Sequence, residues 1–329
     1  MLTNLIRGKG AGMYHDLLLT QVQVCDLFEL SRTTVHKLIK DKKIDLVEKQ
    51  VGAVKRKFLD WNSIKQLLTH IPRLVVKPKN IVKVFGNLKG GTGKSTLCVQ
   101  FSMLAAAMGL KTLLIDLDPQ AHATLAVLRK KSLKYKTILD IVIGDRLPPK
   151  EVIQSVTPFL DIIPSNLNLA VGEISLFNEL KRAEKIKQFT DSIRDSYDLI
   201  TFDLSPSAGL ISTNALIAAD EIICVTETEF YSTDGLVTFF NVIKVLSKDF
   251  DITPHRRIIP NFHSSYKKDN QQSLATLRTS PFKNLVTATT IMENTDLKEA
   301  HKNGLPIWSF KSKSQGAKDI KQLYKEILD

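Results

Sequence analysis

The strongest constraint in this 329-residue chain is the run Val82–Thr96, VKVFGNLKGGTGKST. Val82–Phe85 is β-branched and aromatic, which predicts a short buried strand. Gly86, Gly90, Gly91 and Gly93 crowd the turn that follows, and Lys94-Ser95-Thr96 opens an apolar helical run over Leu97–Met108. Strand, glycine turn and helix N-terminus, in that order, make a phosphate cradle. The glycines let backbone N–H groups wrap an anion, and the helix dipole adds partial positive charge. In this reading Lys94 reaches the β- and γ-phosphates, the Ser95 hydroxyl binds Mg²⁺, and Gly90, Gly91, Thr92, Gly93 and Thr96 complete the nucleotide contacts.

The spacing departs from the commonest phosphate-loop pattern. Leu88 stands where that pattern has its first glycine, and an extra lysine, Lys89, precedes the Gly-Gly. The string KGGTGKST resembles the deviant P-loop of the ParA/MinD family of ATPases. That resemblance implies that Lys89 acts across an ATP-bound dimer, on the nucleotide of the opposite subunit, while Lys94 acts within its own.

From Ile81 onward short apolar strands alternate with helices, which predicts an α/β domain with a mainly parallel sheet flanked by helices. Thr112–Ile115 is the second strand, followed by Asp116-Leu117-Asp118-Pro119-Gln120. Carboxylates at a strand's carboxyl end can orient water or support Mg²⁺. DLDPQ is also similar to the ParA family. The resemblance gives Asp118 the hydrolytic role, with Asp116 supporting the Mg²⁺ shell or the switch. Leu199–Phe202 is an apolar strand closing on Asp203, the Walker B arrangement that holds a Mg²⁺-bound water. The family's second proline after this aspartate is replaced by the order Leu204-Ser205-Pro206-Ser207. Short elements are expected at Thr137–Val142 (helix) and Phe159–Ile163 (strand). Glu173–Ser196 reads as one long amphipathic helix, Gly209–Ala219 as a helix, Glu221–Val225 as a strand, and Thr226–Asp234 as a polar loop near the nucleotide. Arg257–Asn261 closes the strand series, and in relatives an asparagine at this strand end reads the adenine base, which points to Asn261. The resemblance also points to Arg278 as a non-specific DNA contact, while the family's second basic position is Asp296 here.

The first quarter of the chain has a different character. Thr20–Phe28 fits an amphipathic helix, Glu29-Leu30-Ser31 a tight turn with Ser31 as N-cap, and Thr33–Lys40 a second helix. Two short helices joined in this way read as a helix-turn-helix, whose second helix enters the major groove. Arg32, Thr33, Thr34, His36 and Lys37 would face the DNA. Leu46–Gln50 and Val54–Leu59 form a wing around Gly52, bringing Lys55, Arg56 and Lys57 to phosphates. Trp61–Leu68 closes the unit, which resembles a MerR-type winged helix. The expected division is a flexible lead-in over 1–16, a small winged helix-turn-helix domain over 17–70, a linker over 71–80 and the P-loop domain over 81–329.

Charge supports this division. The net charge of +12 is unevenly spread: residues 1–80 hold 15 basic against 7 acidic residues, and the remainder 31 against 27. A basic surplus of this size suits nucleic acid. Cys25, Cys98 and Cys224 are odd in number and far apart, so neither a disulfide framework nor a metal cluster is expected. No apolar run reaches the length of a membrane span, and the N-terminus lacks a signal-peptide core. The last helix places Ile320, Leu323, Tyr324, Ile327 and Leu328 on one face. Asp319 and Glu326 interrupt its polar side, so that stripe is expected to pack on the domain and not on a membrane.

Taken with the N-terminal unit, the resemblance implies a cytoplasmic, nucleoid-associated DNA partition ATPase using ATP and Mg²⁺. It implies an ATP-dependent homodimer that binds non-specific DNA, a ParB-type centromere-binding partner that stimulates hydrolysis, and operator DNA bound through the helix-turn-helix for autorepression. The alternatives are an ATP-sensing transcriptional repressor and a MinD-like positioning ATPase.

Overall fold

The computed structural model describes residues 14–71, 80–143, 146–228 and 233–328. The N-terminal unit opens with α1 (Gln21–Phe28) and α2 (Arg32–Asp41). Thr20 caps α1 in a reciprocal box with Gln23, which satisfies two orphan helix donors at once. Glu29 ends α1 in the left-handed region (φ 55°), and Ser31 caps α2 by accepting from the Thr34 N–H at 3.0 Å. An antiparallel hairpin follows, β1 (Val47–Val51) and β2 (Val54–Phe58), turning at Gly52 with φ 63°. Then α3 (Trp61–Leu68) packs beneath. These bounds lie within about two residues of those expected.

The larger unit holds a seven-stranded sheet. Its elements are β3 (Ile81–Gly86), α4 (Lys94–Ala107), β4 (Thr112–Leu117), α5 (His122–Leu128), α6 (Ile138–Val142), α7 (Pro149–Val152), β5 (Gln154–Thr157) and β6 (Leu160–Ile163). There follow α8 (Asn168–Leu176), α9 (Lys185–Ile193), β7 (Leu199–Leu204), α10 (Leu210–Ala218), β8 (Glu221–Glu227), α11 (Thr233–Asp249) and β9 (His255–Asn261). The chain ends through α12 (Lys268–Thr279), α13 (Thr295–Lys302), α14 (Ile307–Phe310) and α15 (Gln315–Leu328). Strand order is β5-β6-β4-β7-β3-β8-β9, parallel except for the β5–β6 pair. The strands are buried on both faces and carry near-continuous apolar runs. Residues such as Phe85, Leu114 and Ile223 pack on one side with α4 and α15, while Val84, Leu113 and Ile222 pack on the other with α10 and α11.

Two expectations are corrected. The long helix over Glu173–Ser196 is broken into α8 and α9, with Lys181 in the left-handed region (φ 52°) between them. The lead-in is structured before residue 17: Tyr14–Asp16 form a 3₁₀ turn and Tyr14 is fully buried. The two units also share a continuous core. Tyr14, Val24 and Trp61 belong to the same apolar cluster as Phe101, Trp308 and Tyr324. Residues 72–79 of the expected linker, and 229–232 of the expected loop over 226–234, lie outside the described residues. The stripe on α15 packs inward as expected, with Ile320, Leu323, Tyr324 and Ile327 buried. All three cysteines are buried and free.

Candidate nucleotide site and nucleic-acid face

Strand order brings the chemistry together. β4, β7 and β3 are adjacent, so the DLDPQ turn, Asp203 and the glycine turn share one edge of the sheet. Asp116 lies opposite Asp203 in the β4–β7 register, and Asp203 lies opposite Phe85 across β3–β7.

The glycine turn has the backbone its residue types allow. Gly91 and Gly93 have φ of 80° and 87°, and Gly93 also precedes the first helical residue, Lys94. A Cβ on Gly93 would run into Asn261 Nδ2, so glycine is required there for space as well as for φ. Asn261 is buried and donates from Nδ2 to the Thr92 carbonyl at 2.7 Å, tying β9 to the loop. Asn87, unmarked by sequence reasoning, donates to the Val225 carbonyl at 2.8 Å and accepts from the Lys89 N–H at 3.0 Å. Its position two residues before Lys89 is an Asx-turn signal.

Lys94 is 5% exposed, and its Nζ donates to the Lys89 carbonyl at 2.8 Å. Burial pushes its ammonium below the usual lysine range, opposed by the negative charges of Asp203 and Asp118. Ser95 and Thr96 are partly exposed at the head of α4. Lys89 points elsewhere, and its Nζ pairs with Glu227 at 2.6 Å.

The carboxylates divide their work. Asp116 is fully buried; one oxygen accepts from the Asp118 N–H at 3.0 Å, the other from the Thr124 N–H and hydroxyl, both at 2.7 Å. Burial raises its pKa to about 6 against those hydrogen bonds. Both oxygens of Asp116 hold the switch turn, one of the two roles expected for it. Thr124, not foreseen from sequence, extends the network by accepting from the Ser165 N–H at 2.8 Å. Asp118 is 7% exposed and accepts from the Gln120 N–H at 2.8 Å.

Asp203 differs from both. It is fully buried, and among the described residues neither of its oxygens meets a partner at ordinary hydrogen-bond geometry, Ser95 being the nearest hydroxyl to act on it. Burial, then the charge of Asp116, raises its pKa well above the carboxylate range, opposed by Ser95 and Lys94. Among the described residues, Thr92 Oγ1 and Asn261 Oδ1 are also buried without partners. Orphaned buried acceptors of this kind call for a ligand, and four such atoms gather around one phosphate cradle. The donor set fits Mg²⁺ carried by a nucleotide, with Ser95 and Asp203 as the protein's share and phosphates and water completing the shell. Among the described residues no group of three or more His, Cys, Asp or Glu side chains is arranged to hold a metal by itself.

On the N-terminal unit, Arg32, Thr33, Thr34, His36 and Lys37 are all exposed on α2. The Thr34 hydroxyl is shared with Ser31 Oγ at 2.8 Å, which fixes the head of the helix. Lys55, Arg56 and Lys57 are exposed along β2, with Lys57 3.5 Å from Glu48. Arg278 is exposed, and its Nη2 donates to the Ala288 carbonyl at 2.9 Å and to the Thr290 hydroxyl at 3.0 Å. Asp296 is paired with Lys311.

Comparison with known proteins decides the family. The family model AAA_31, described as an AAA domain, matches residues 80–254. The cell division protein PomZ of Myxococcus xanthus is 30% identical over 268 residues, covering 81% of this chain and 84% of PomZ. This chain belongs to the ParA-type P-loop ATPases. The sporulation initiation inhibitor protein Soj of Bacillus subtilis is 29% identical over 242 residues, covering 73% of this chain and 95% of Soj. In three dimensions, the ATP complex of a Cyanothece McdA variant superimposes with a TM-score of 0.68 at 20% identity, covering 76% of this chain and 96% of that one. That likeness concerns the fold. The ParA-type match leaves α1 and α2 outside the family model, so the nucleotide machinery and the N-terminal unit stand on separate arguments.

Proposed function

We propose that this protein is a partition or positioning ATPase whose ATP-bound homodimer binds DNA without sequence preference. The observation that carries the reading is the division of two lysines at one cradle: Lys94 buried within it, Lys89 turned out of it to Glu227 at the end of β8. ATP is the substrate, with the backbone of Gly90–Thr96 around its phosphates. Ser95 and Asp203 would hold Mg²⁺, which supplies charge neutralisation at the β- and γ-phosphates. Lys94 stabilises developing negative charge from within, and Lys89 from the opposite subunit. Asp118 orients the attacking water. Asn261 holds the Thr92 carbonyl from below and keeps Oδ1 for the nucleotide. Hydrolysis stays slow until the dimer and a ParB-type partner complete the charges.

The N-terminal unit is a winged helix-turn-helix in this reading. Its second helix, α2, offers Arg32, Thr33, Thr34, His36 and Lys37 to operator bases, and β2 offers Lys55, Arg56 and Lys57 to phosphates. The test is binding to random-sequence DNA with ATP, ADP or no nucleotide at two salt concentrations. Binding that requires ATP and weakens steeply with salt supports the partition switch. Equal binding in all three states overturns it.

An ATP-sensing repressor is the second reading. It is favoured by the shared core between the N-terminal unit and α4, the helix that starts at the cradle. A strong operator with no bulk DNA binding would move it ahead. A MinD-like membrane role finds no support in α15, whose apolar face is buried. Among the described residues, no helix is long and apolar enough to cross a membrane.

A further inference from the structure

β3 and β8 are neighbours in the sheet, with Gly86 opposite Cys224. Counting three residues on from each reaches Lys89 and Glu227, and these two meet: Lys89 Nζ lies 2.6 Å from Glu227 Oε2. The pair lies just past the β3–β8 ladder and joins the glycine turn to the end of β8. Glu227 is 16% exposed and Lys89 45%. The other carboxylate oxygen, Oε1, lies 4.0 Å from where a Cβ on Gly91 would stand. The carboxylate therefore lies against the P-loop itself, and its field also reaches Lys94.

We propose that Glu227 is a positioning residue that parks Lys89 on its own subunit, and that an arriving nucleoside triphosphate displaces it and frees Lys89 for the second copy. This rests on the reading of Lys89 as the lysine that acts across the dimer. The phosphates bring several negative charges beside Glu227. They repel its carboxylate and compete for the ammonium, while a nucleotide-free subunit keeps its lysine tethered. Half-exposed ion pairs of this kind shift an equilibrium by a factor of about 1.5 to 5. A dimer releases two, so the tether holds dimerisation back by a factor of about 2 to 25.

The test compares wild type, Glu227→Gln and Glu227→Asp by sedimentation, titrating ATP with Mg²⁺ at low and high salt. Glu227→Gln should dimerise at a protein concentration lower by that factor at low salt, with the difference shrinking at high salt as screening weakens the tether. Glu227→Asp should fall back toward wild type, a return that a purely structural defect would not show. If wild type dimerises on ATP and Glu227→Gln matches it at both salts, the tether is overturned. If wild type does not dimerise on ATP, the proposed dimer fails instead. The tether is then judged by zero-length carbodiimide crosslinking, which joins an amine to a carboxylate in direct contact. A Lys89–Glu227 crosslink in nucleotide-free protein that fades with ATP and Mg²⁺ supports it. No crosslink at that pair without nucleotide overturns it.

Discussion

The Tyr14 hydroxyl donates to the Met103 carbonyl over 2.8 Å, joining the start of the N-terminal unit to the middle of the helix that begins at the P-loop. Tyr14 also stacks edge-on against Trp61, with ring centroids 5.0 Å apart, and accepts the Trp61 indole N–H on its carbonyl at 2.9 Å. Leu68 closes the same contact from α3, lying 3.0 Å from the Cβ position of Gly109 just beyond α4. The N-terminal unit is therefore mounted on the ATPase by packing. Tyr14→Phe should cost about 0.5–1.5 kcal/mol, the net worth of one buried hydrogen bond. Tyr14→Ala should cost about 3–5 kcal/mol by cavity formation. Denaturant unfolding would measure both, and limited proteolysis should cut the alanine variant between the two units first.

A charged contact supports the same mount. Glu29, in the turn between α1 and α2, accepts from Lys325 at 2.8 Å and lies 3.1 Å from Lys321. Hydrogen bonds from Lys325, then Lys321, hold its carboxyl below the usual range against partial burial. A depressed carboxylate pKa contributes stability that is present above the unfolded value and lost as pH falls through the folded one. Glu29→Gln should thus destabilise by no more than about 1 kcal/mol at neutral pH and low salt, given the exposure of the pair. Unfolding midpoints of variant and wild type should converge below about pH 4.

Asp203 offers the opposite sign. Its pKa is raised by burial and by Asp116, so the folded state without nucleotide loses stability as pH rises above the ordinary carboxylate value. Asp203→Asn removes that penalty. The nucleotide-free variant should be more stable than wild type at neutral pH, read as a higher Tm. It should also lose the extra thermal stabilisation that Mg²⁺ adds to ATP. A lower Tm in the nucleotide-free variant would show that Asp203 has a favourable protein partner.

The lysines and Asp118 should separate by assay. Lys94→Ala should abolish nucleotide binding, seen by calorimetry. Lys89→Gln should leave binding by the monomer within a few-fold of wild type and remove ATP-dependent dimers. Asp118→Ala should bind ATP and DNA yet turn over at least about a hundredfold more slowly, the lower range for a lost acid–base or orienting group. Full turnover in that variant would place the role on another residue.

Local chemistry made the cradle legible in the sequence. Positive φ at Gly91 and Gly93, the Ser31 cap, the turn at Gly52 and the apolar strands all follow from neighbouring residue types. Neighbouring residue types do not show which groups a side chain meets: Arg278 reaches Ala288 and Thr290, and Asp116 reaches Thr124. The helix over 173–196 has adequate periodicity, and the break at Lys181 carries no glycine or proline to mark it.

The sequence by itself determined the phosphate chemistry, because a glycine turn between strand and helix needs only a dozen consecutive residues to define its backbone. Tertiary structure alone decided what surrounds it: Asn261 beneath the loop, Glu227 on Lys89, Tyr14 on Met103, and Asp203 buried opposite Asp116. Each of those relations joins residues more than eighty positions apart. They are set by strand order and helix packing, which no local window of residue types contains.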